Sequence, residues 1–317
     1  MTCPITCDTL TALHLYERNE TDAAHHLLTG VWSTARHAGC VDALIISHLL
    51  MARLALQRGE RQGWLGYLLE LERLGQQRGS LRIQASVWLE QTRIETLGNR
   101  LEMAQLALHT AEHFDDLDRP GIALLLNDID SPLIARQRLR IAQGHFGEAI
   151  EALLPAITRA QAHRHRRLEL KLLLLLAMAH DGNRSPRVAL QTLGKALRLA
   201  SAEQWRQCFI EEGERLLGLL RRWFALEQKH PERDFVADLL QRIGPPVSAT
   251  GPLPPLTARE VRVLQLLAVG HRNRVIAEKM FLSECTVKTH LYRINRKLGA
   301  GDRNQALAIA RRQGWLD

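Results

Sequence analysis

Basic, hydroxyl and phenol side chains share one face of a short helix predicted over residues 284–298. At about 100° of rotation per residue, the apolar side chains of this helix fall on the opposite face. The apolar face holds Val287, Leu291, Ile294 and Leu298, and the outer stripe holds Cys285, Thr289, Tyr292 and Arg296, flanked by Lys288 and Arg293. Arg and Lys can donate to guanine edges, and Thr and Tyr can contact phosphate or a thymine methyl group. We therefore expect this helix to enter the major groove of double-stranded DNA, the alternative being an ordinary amphipathic surface helix.

Four short helices with recognisable ends are predicted between residues 256 and 317 and would position this face. The predicted caps and stops are, in chain order, Thr257 with Glu260 as a capping box, Gly270, Ser283, Gly299 and Asp302. The second helix, about residues 273–280, would bury Ile276, Ala277 and Met280, and the fourth would bury Ala306, Ile309 and Ala310. A short turn between the second and third helices is typical of a helix-turn-helix. In that motif the helix before the recognition helix, here residues 273–280, crosses the DNA backbone.

Positive charge is concentrated in the same region. The whole chain has 42 Lys and Arg against 34 Asp and Glu, a net charge of +8. Residues 256–317 have 12 basic against 5 acidic residues, whereas the first 255 residues have 30 against 29. A basic patch of this kind indicates a nucleic-acid partner. The alternative is a surface that only improves solubility.

The five cysteines are scattered along the chain without a CxxC pair, so neither a disulfide framework nor a zinc site is expected. Reduced thiols fit a cytosolic protein. The first ten residues lack the basic and apolar regions of a signal peptide, and the longest apolar run, residues 172–179, is too short to span a membrane. We expect a cytoplasmic protein.

Catalytic and cofactor motifs were not found. The chain has no GxxxxGK[ST], GxSxG, HExxH or GxGxxG sequence, and Gly194-Lys195-Ala196 lacks the rest of a phosphate-binding loop. The run of residues 163–167, HRHRR, is more simply a solvated helix end than a ligand site, and the acidic residues 115–118 are more simply a loop. We expect no cofactor, no metal and no enzymatic activity.

Residues 10–243 are rich in helix-forming residues and show helical periodicity, which predicts an all-α region. Turn-like tetrads occur at residues 58–61, 97–100, 143–146 and 181–184, and their glycines are 39, 46 and 38 residues apart. The triplets Ala149, Leu153, Ala156 and Ala189, Leu193, Ala196 are 40 residues apart and follow two of these turns. A period of about 34–47 residues with two helices per unit predicts a tetratricopeptide-like solenoid. Such an array offers a concave surface for peptides, proteins or small ligands.

A Pro- and Gly-rich segment divides the chain. Residues 244–255 contain five prolines and two glycines, a composition that prevents helix and favours extended chain. We therefore expect a helical-repeat sensor or interaction domain over residues 1–243, a linker over 244–255 and a DNA-binding domain over 256–317.

Residues 256–312 resemble the LuxR-type (FixJ/NarL-type) helix-turn-helix domain. The matching residues are Leu256, Thr257, Arg259, Glu260, Val263, Leu264, Gly270, Asn273, Ile276, Ala277, Leu282, Ser283, Thr286, Val287, Lys288, His290, Ile294, Lys297, Leu298 and Arg303. This resemblance implies a four-helix domain that usually binds DNA as a dimer. It implies base-edge contacts from Lys288, Thr289 and Tyr292, and phosphate contacts from Asn273, Arg274, Thr286 and His290. The chain departs from the family pattern at Val275, usually acidic or polar, and at Arg293, often Asn.

A second resemblance lies at residues 205–220, WRQCFIEEGERLLGLL, which are similar to the segment that closes the helical-repeat region in large maltose-activator-like LuxR regulators. Those regulators also carry an N-terminal ATPase module, which these 317 residues lack. The chain is then either a short stand-alone relative or a fragment of a longer protein.

Together these features predict a cytoplasmic transcriptional regulator. A homodimer would bind DNA through residues 256–317, and the helical repeats would bind an unknown small molecule or protein. The main alternative is a helical-repeat interaction adaptor with a vestigial DNA-binding tail, and an enzyme is the second alternative.

Overall fold

The computed structural model describes residues 4–35, 40–113, 131–243, 256, 258–280, 282, 284–312 and 315–316. The chain forms two compact units, Met1–Ala249 and Thr250–Asp317, and each is treated by itself below. All regular secondary structure in the described residues is helical, which confirms the all-α prediction. The segments 115–118 and 244–255, predicted to be a loop and a linker, lie outside the described residues. Among the described helices, none combines the length and the apolar character that crossing a membrane requires.

The described part of the first unit consists of successive helices, and most of the connections described between them are short turns. They are α1 (Pro4–Glu17), α2 (Thr21–Ala35), α3 (Val41–Gln57), α4 (Arg61–Gln77), α5 (Leu81–Leu97), α6 (Leu101–Glu112), α7 (Pro132–Gln143), α8 (Phe146–Ala162), α9 (Arg166–Gly182), α10 (Pro186–Glu203), α11 (Gln207–Glu212), α12 (Glu214–Leu226) and α13 (Arg233–Arg242). Helices α1 to α10 pair in sequence, each odd-numbered helix packing against the even-numbered helix that follows it. This pairing confirms the predicted helical-repeat array.

The four predicted turn tetrads all join the two helices of a pair. The chain reverses through a residue with positive φ at each of them, and these residues are Gly59, Asn99, Gly144 and Arg184. Glycine is therefore the left-handed residue in only two of these four turns. Asn adopts this conformation comparatively easily, whereas Arg184 does so at a cost that the surrounding packing must offset.

Gly182 has a different role from the turn glycines, because it is the last residue of α9 and not a left-handed residue. A Cβ atom at this position would lie 2.2 Å from Cε1 of Phe146, the first residue of α8. The absence of a side chain lets the phenyl ring approach the backbone of α9. This glycine thus permits close packing between helices of neighbouring pairs.

The odd-numbered helices α1, α3, α5, α7 and α9 pack against one another and are named the inner layer here. Helices α3, α5 and α9 are buried along most of their length. The even-numbered helices α2 to α10 are named the outer layer, and α8 and α10 each bury one face only. The six residues of the two predicted Ala-Leu-Ala triplets are all buried on these two helices, as their spacing predicts.

The second unit contains α14 (Ala258–Ala268), α15 (Asn273–Met280), α16 (Glu284–Leu298) and α17 (Arg303–Arg312). The predicted bounds of the second and third helices are confirmed. Gly270 and Gly299 have φ values of +92° and +67°, which confirms them as the left-handed residues that follow α14 and α16. Asp302 Oδ1 accepts from the Gln305 amide at 2.8 Å and so caps α17. The proposed caps Thr257 and Ser283 lie outside the described residues.

Candidate nucleic-acid interface

The apolar face of α16 attaches this helix, named the recognition helix here, to the rest of its unit. Val287 and Ile294 are fully buried, and Leu298 is 8% exposed. They share one hydrophobic core with Ile276 of α15 and Leu264 of α14, and partly buried Leu291 packs against it. The inner face inferred from helical angles is therefore confirmed.

The side chains expected to contact DNA differ in accessibility. Lys288 is exposed, whereas Arg293, Thr286 and His290 are half-buried and interact with other groups of the structure. On the recognition helix, the side chain of Lys288 is therefore open to solvent, whereas that of Arg293 is partly covered and interacts with its surroundings.

The helix before the recognition helix contributes an exposed cation. On α15, Asn273 is half-buried, and Arg274 has a side chain that is 82% exposed. Arg274 Nε lies 3.3 Å from Glu278 Oε1 one turn later. Exposed ion pairs of this kind contribute little, so a phosphate could compete with Glu278 for this guanidinium.

Thr289 and Tyr292 correct the predicted outer stripe. Thr289 is 7% exposed and Tyr292 is 1% exposed, so the expectation that both face solvent is wrong for this structure. The helical angle gives the side of the helix on which a residue lies, but it does not determine how much chain covers that side. Both residues have interactions with other groups. The side chains of Cys285 and Arg296 lie outside the described residues.

Two basic residues of this region form contacts inside the second unit. Lys297 Nζ lies 2.6 Å from Glu260 Oε2, and the two side chains are 8% and 4% exposed. Arg303 donates to the carbonyl oxygens of His271 at 3.0 Å and Leu267 at 3.5 Å, at the end of α14. In the sequence both belong to the basic patch of residues 256–317, and Glu260 was expected to complete a capping box with Thr257. Lys297 follows buried Ile294 by three residues, which places it at the border of the apolar face.

A second candidate site lies in the first unit, where α11 meets the inner layer. Arg53 of α3 donates to Glu90 of α5 at 2.7 Å and to Glu211 of α11 at 3.0 Å. Arg93 of α5 also donates to Glu90, at 2.6 Å. Arg138 of α7 donates to Glu212 of α11 at 2.8 Å. Adjacent carboxylates of α11 are thus held by arginines from two helices of the inner layer, α3 and α7, and Glu90 links the first of these arginines to Arg93 of α5.

The same segment is attached to the first helix of the chain. The amide of Arg206 donates to the carbonyl oxygen of Glu17 at 2.8 Å, and Cys208 Sγ lies 3.1 Å from Glu17 Oε2. Tyr16 donates to Glu211 Oε1 at 2.5 Å. Arg167 also pairs with Glu17, so the solvated-end interpretation of residues 163–167 is wrong for this residue. Residues 205–213 therefore join the beginning of the array to its end.

The electrostatics of this cluster follow from its burial. Burial by itself would raise the pKa of Glu211, but Arg53, Arg93 and Lys171 outweigh it and lower that pKa to about 2. Burial, aided by the charge of Glu17, raises the pKa of Cys208 well above its ordinary value. The carboxylate stays ionised and the thiol stays neutral at physiological pH, so the cluster supplies no thiolate nucleophile. Where a ligand surface was expected, the inner layer holds the chain's own segment.

Comparison with known proteins agrees with both units. The family described as the MalT-like TPR region matches residues 7–227, which is more than half of the chain. The chain belongs to the MalT-like TPR family. The family described as bacterial regulatory proteins of the luxR family matches residues 254–310. The second unit of this MalT-like chain is thus a LuxR-type helix-turn-helix domain.

Curated relatives are similar to this chain over stretches of different length. The HTH-type transcriptional regulator MalT of Klebsiella pneumoniae is 28% identical over 226 residues, covering 71% of this chain and 22% of the relative. The uncharacterized transcriptional regulatory protein YxjL of Bacillus subtilis is 57% identical over 60 residues, 19% of this chain and 28% of the relative. The transcriptional regulatory protein DegU of Brevibacillus brevis is 45% identical over 65 residues, 20% of this chain and 28% of the relative. The chain spans less than a third of the length of each of these relatives.

Proposed function

We propose that this MalT-like chain regulates transcription by placing the recognition helix α16 in the major groove of double-stranded DNA. The observation that carries the proposal is the LuxR-type match over residues 254–310, whose helices have the bounds and the buried apolar face that such a domain needs. The concentration of basic residues after position 255 supports the same conclusion.

In the proposed complex, Lys288 contacts a base edge, because it is exposed and lies in the first half of the recognition helix. Arg293 and Arg296, which follow Lys288 along the same helix, are proposed as further DNA contacts. Thr289 and Tyr292, buried in this structure, are not included among the proposed contacts.

Phosphate contacts are proposed for Arg274 and Asn273 on α15 and for Thr286 and His290 on α16. Arg274 is the strongest of these candidates, since its guanidinium is largely exposed and its partner Glu278 is exposed as well. Phosphate contacts of this kind position a domain on the duplex without reading its sequence.

The array is proposed to receive the regulatory signal, and the DNA-bound form is proposed to be a homodimer. Two observations support a regulatory role of the array. It belongs to the MalT-like TPR family, and it lies in the same chain as the LuxR-type unit. Because residues 205–213 cover part of the surface of the inner layer, a small-molecule or protein effector is proposed to bind elsewhere on the array. Titration calorimetry with candidate effectors tests this point, and sedimentation of the DNA complex tests the dimer.

A mobility-shift assay over a salt series tests DNA binding. A protein that neutralises several phosphates should lose affinity steeply as the salt concentration rises. The assay begins with duplexes from a randomised pool, so that a preferred sequence is recovered at the same time. Absence of binding at low salt would favour the interaction adaptor instead.

A further inference from the structure

A buried ion pair joins the end of the recognition helix to the beginning of α14. Lys297, in the last turn of α16, lies 2.6 Å from Glu260, in the first turn of α14. Both side chains are more than nine-tenths buried. Burying either charge alone would be costly, so the two groups stabilise the unit only while they remain in contact.

This pair differs in kind from the apolar contacts of the recognition helix. Val287, Ile294 and Leu298 attach α16 through apolar packing, which is non-directional and tolerates small rotations. A charge-assisted hydrogen bond has a preferred length and angle. The pair therefore restricts the rotation of α16 about its own axis, and this rotation determines which side chains α16 presents to a duplex.

We propose that Glu260 and Lys297 are positioning residues for DNA recognition, with Lys297 acting inside its unit and not as a phosphate contact. The inference rests on the proposed DNA-binding function and adds two residues to it. Lys288 lies on the same helix as Lys297, so a rotation permitted at the C-terminal end also displaces the proposed base contact.

Glu260→Gln separates positioning from plain electrostatics. The substitution removes a negative charge, so charge alone predicts equal or tighter binding to DNA. Loss of positioning predicts weaker binding. Glu278→Gln is the matched control, because it removes a carboxylate that is 64% exposed from the neighbouring helix α15. It should bind at least as tightly as the wild type.

Lys297→Arg is the second variant, and it keeps the total charge while changing the length and shape of the buried cation. It takes the place of Glu260→Gln in the binding assay if that variant fails to fold. The exchanged pair, Glu260→Lys with Lys297→Glu, tests whether restoring the contact in the opposite sense recovers affinity.

The full chain of each variant is titrated with a labelled duplex recovered from the randomised pool and with a duplex of unrelated sequence. Circular dichroism establishes that each variant is folded at the assay temperature. We expect folded Glu260→Gln and Lys297→Arg to bind the recovered duplex about tenfold more weakly, with an unchanged salt slope. Partial recovery is expected in the exchanged pair.

Three results would overturn the inference. Wild-type affinity in the folded variants would show that the pair only stabilises the unit. A third variant, Lys297→Met, removes the cation. If the salt dependence of its DNA affinity has a slope reduced by about one relative to the wild type, Lys297 is a direct phosphate contact. Failure of the wild-type chain to bind any duplex would remove the proposed function itself, and it is distinguishable because no variant is needed to see it.

Discussion

Replacing Glu211 by Gln should destabilise the first unit, because it removes a charge around which several buried groups are arranged. Lowering the pKa of this carboxyl from its ordinary 4.5 to about 2 corresponds to about 3 kcal/mol of stabilisation at neutral pH. Breaking a buried pair by removal of one partner costs about 3–5 kcal/mol in general. The two values agree, so we expect the free energy of unfolding to fall by about 3 kcal/mol.

The pH dependence provides an independent check of the same reasoning. A carboxyl with a lowered pKa contributes stability that is fully present above its ordinary value of 4.5 and is lost as the pH falls through about 2. The Gln variant lacks this contribution at every pH. The difference between wild type and variant should therefore be largest at neutral pH and should shrink between pH 4.5 and pH 2.

Urea unfolding followed by tryptophan fluorescence measures this difference, and Trp205, which is buried beside α11, reports on the affected region. Glu203→Gln is the matched control, since its carboxylate pairs with Arg166 at 2.9 Å but is 37% exposed. This control should lose about 0.5 kcal/mol or less. If Glu211→Gln costs no more than the control, or if the difference does not change with pH, the reasoning about the buried arginines is refuted.

Three further outcomes are expected. Gly182→Ala should lower the melting temperature by the equivalent of about 1–3 kcal/mol, because the added methyl group would collide with the phenyl ring of Phe146 on α8. Gly218→Ala, on the open side of α12, is the control and should be neutral or stabilising. Arg274→Ala should weaken binding to all duplexes alike and reduce the salt slope by about one, and an unchanged slope would refute its phosphate role. In the native protein, Cys208 should resist labelling by maleimide, since its thiol is buried and has a raised pKa, whereas exposed Cys7 should react. Mass spectrometry measures the labelling of each cysteine, and equal labelling of the two would contradict the burial of Cys208.

Local sequence signals predicted the helices and their ends well. The helices of the second unit at residues 273–280 and 284–298 have the predicted bounds, because caps, glycine stops and apolar periodicity all act within a few residues. The turn tetrads were also found correctly. In two of them the left-handed residue is Asn99 or Arg184 and not the glycine, which the spacing of the glycines does not reveal.

The sequence by itself determined the helical class, the repeat, the LuxR-type unit and the apolar face of its recognition helix. These depend on spacing along one chain, which periodicity and capping make readable. Tertiary structure decided the partners of the charges. Arg53 meets Glu211, which is 158 residues away, and Lys297 meets Glu260, which is 37 residues away. A single sequence carries no local signal for such pairs, since the strength of a buried ion pair depends on distances and burial that arise only when the helices pack.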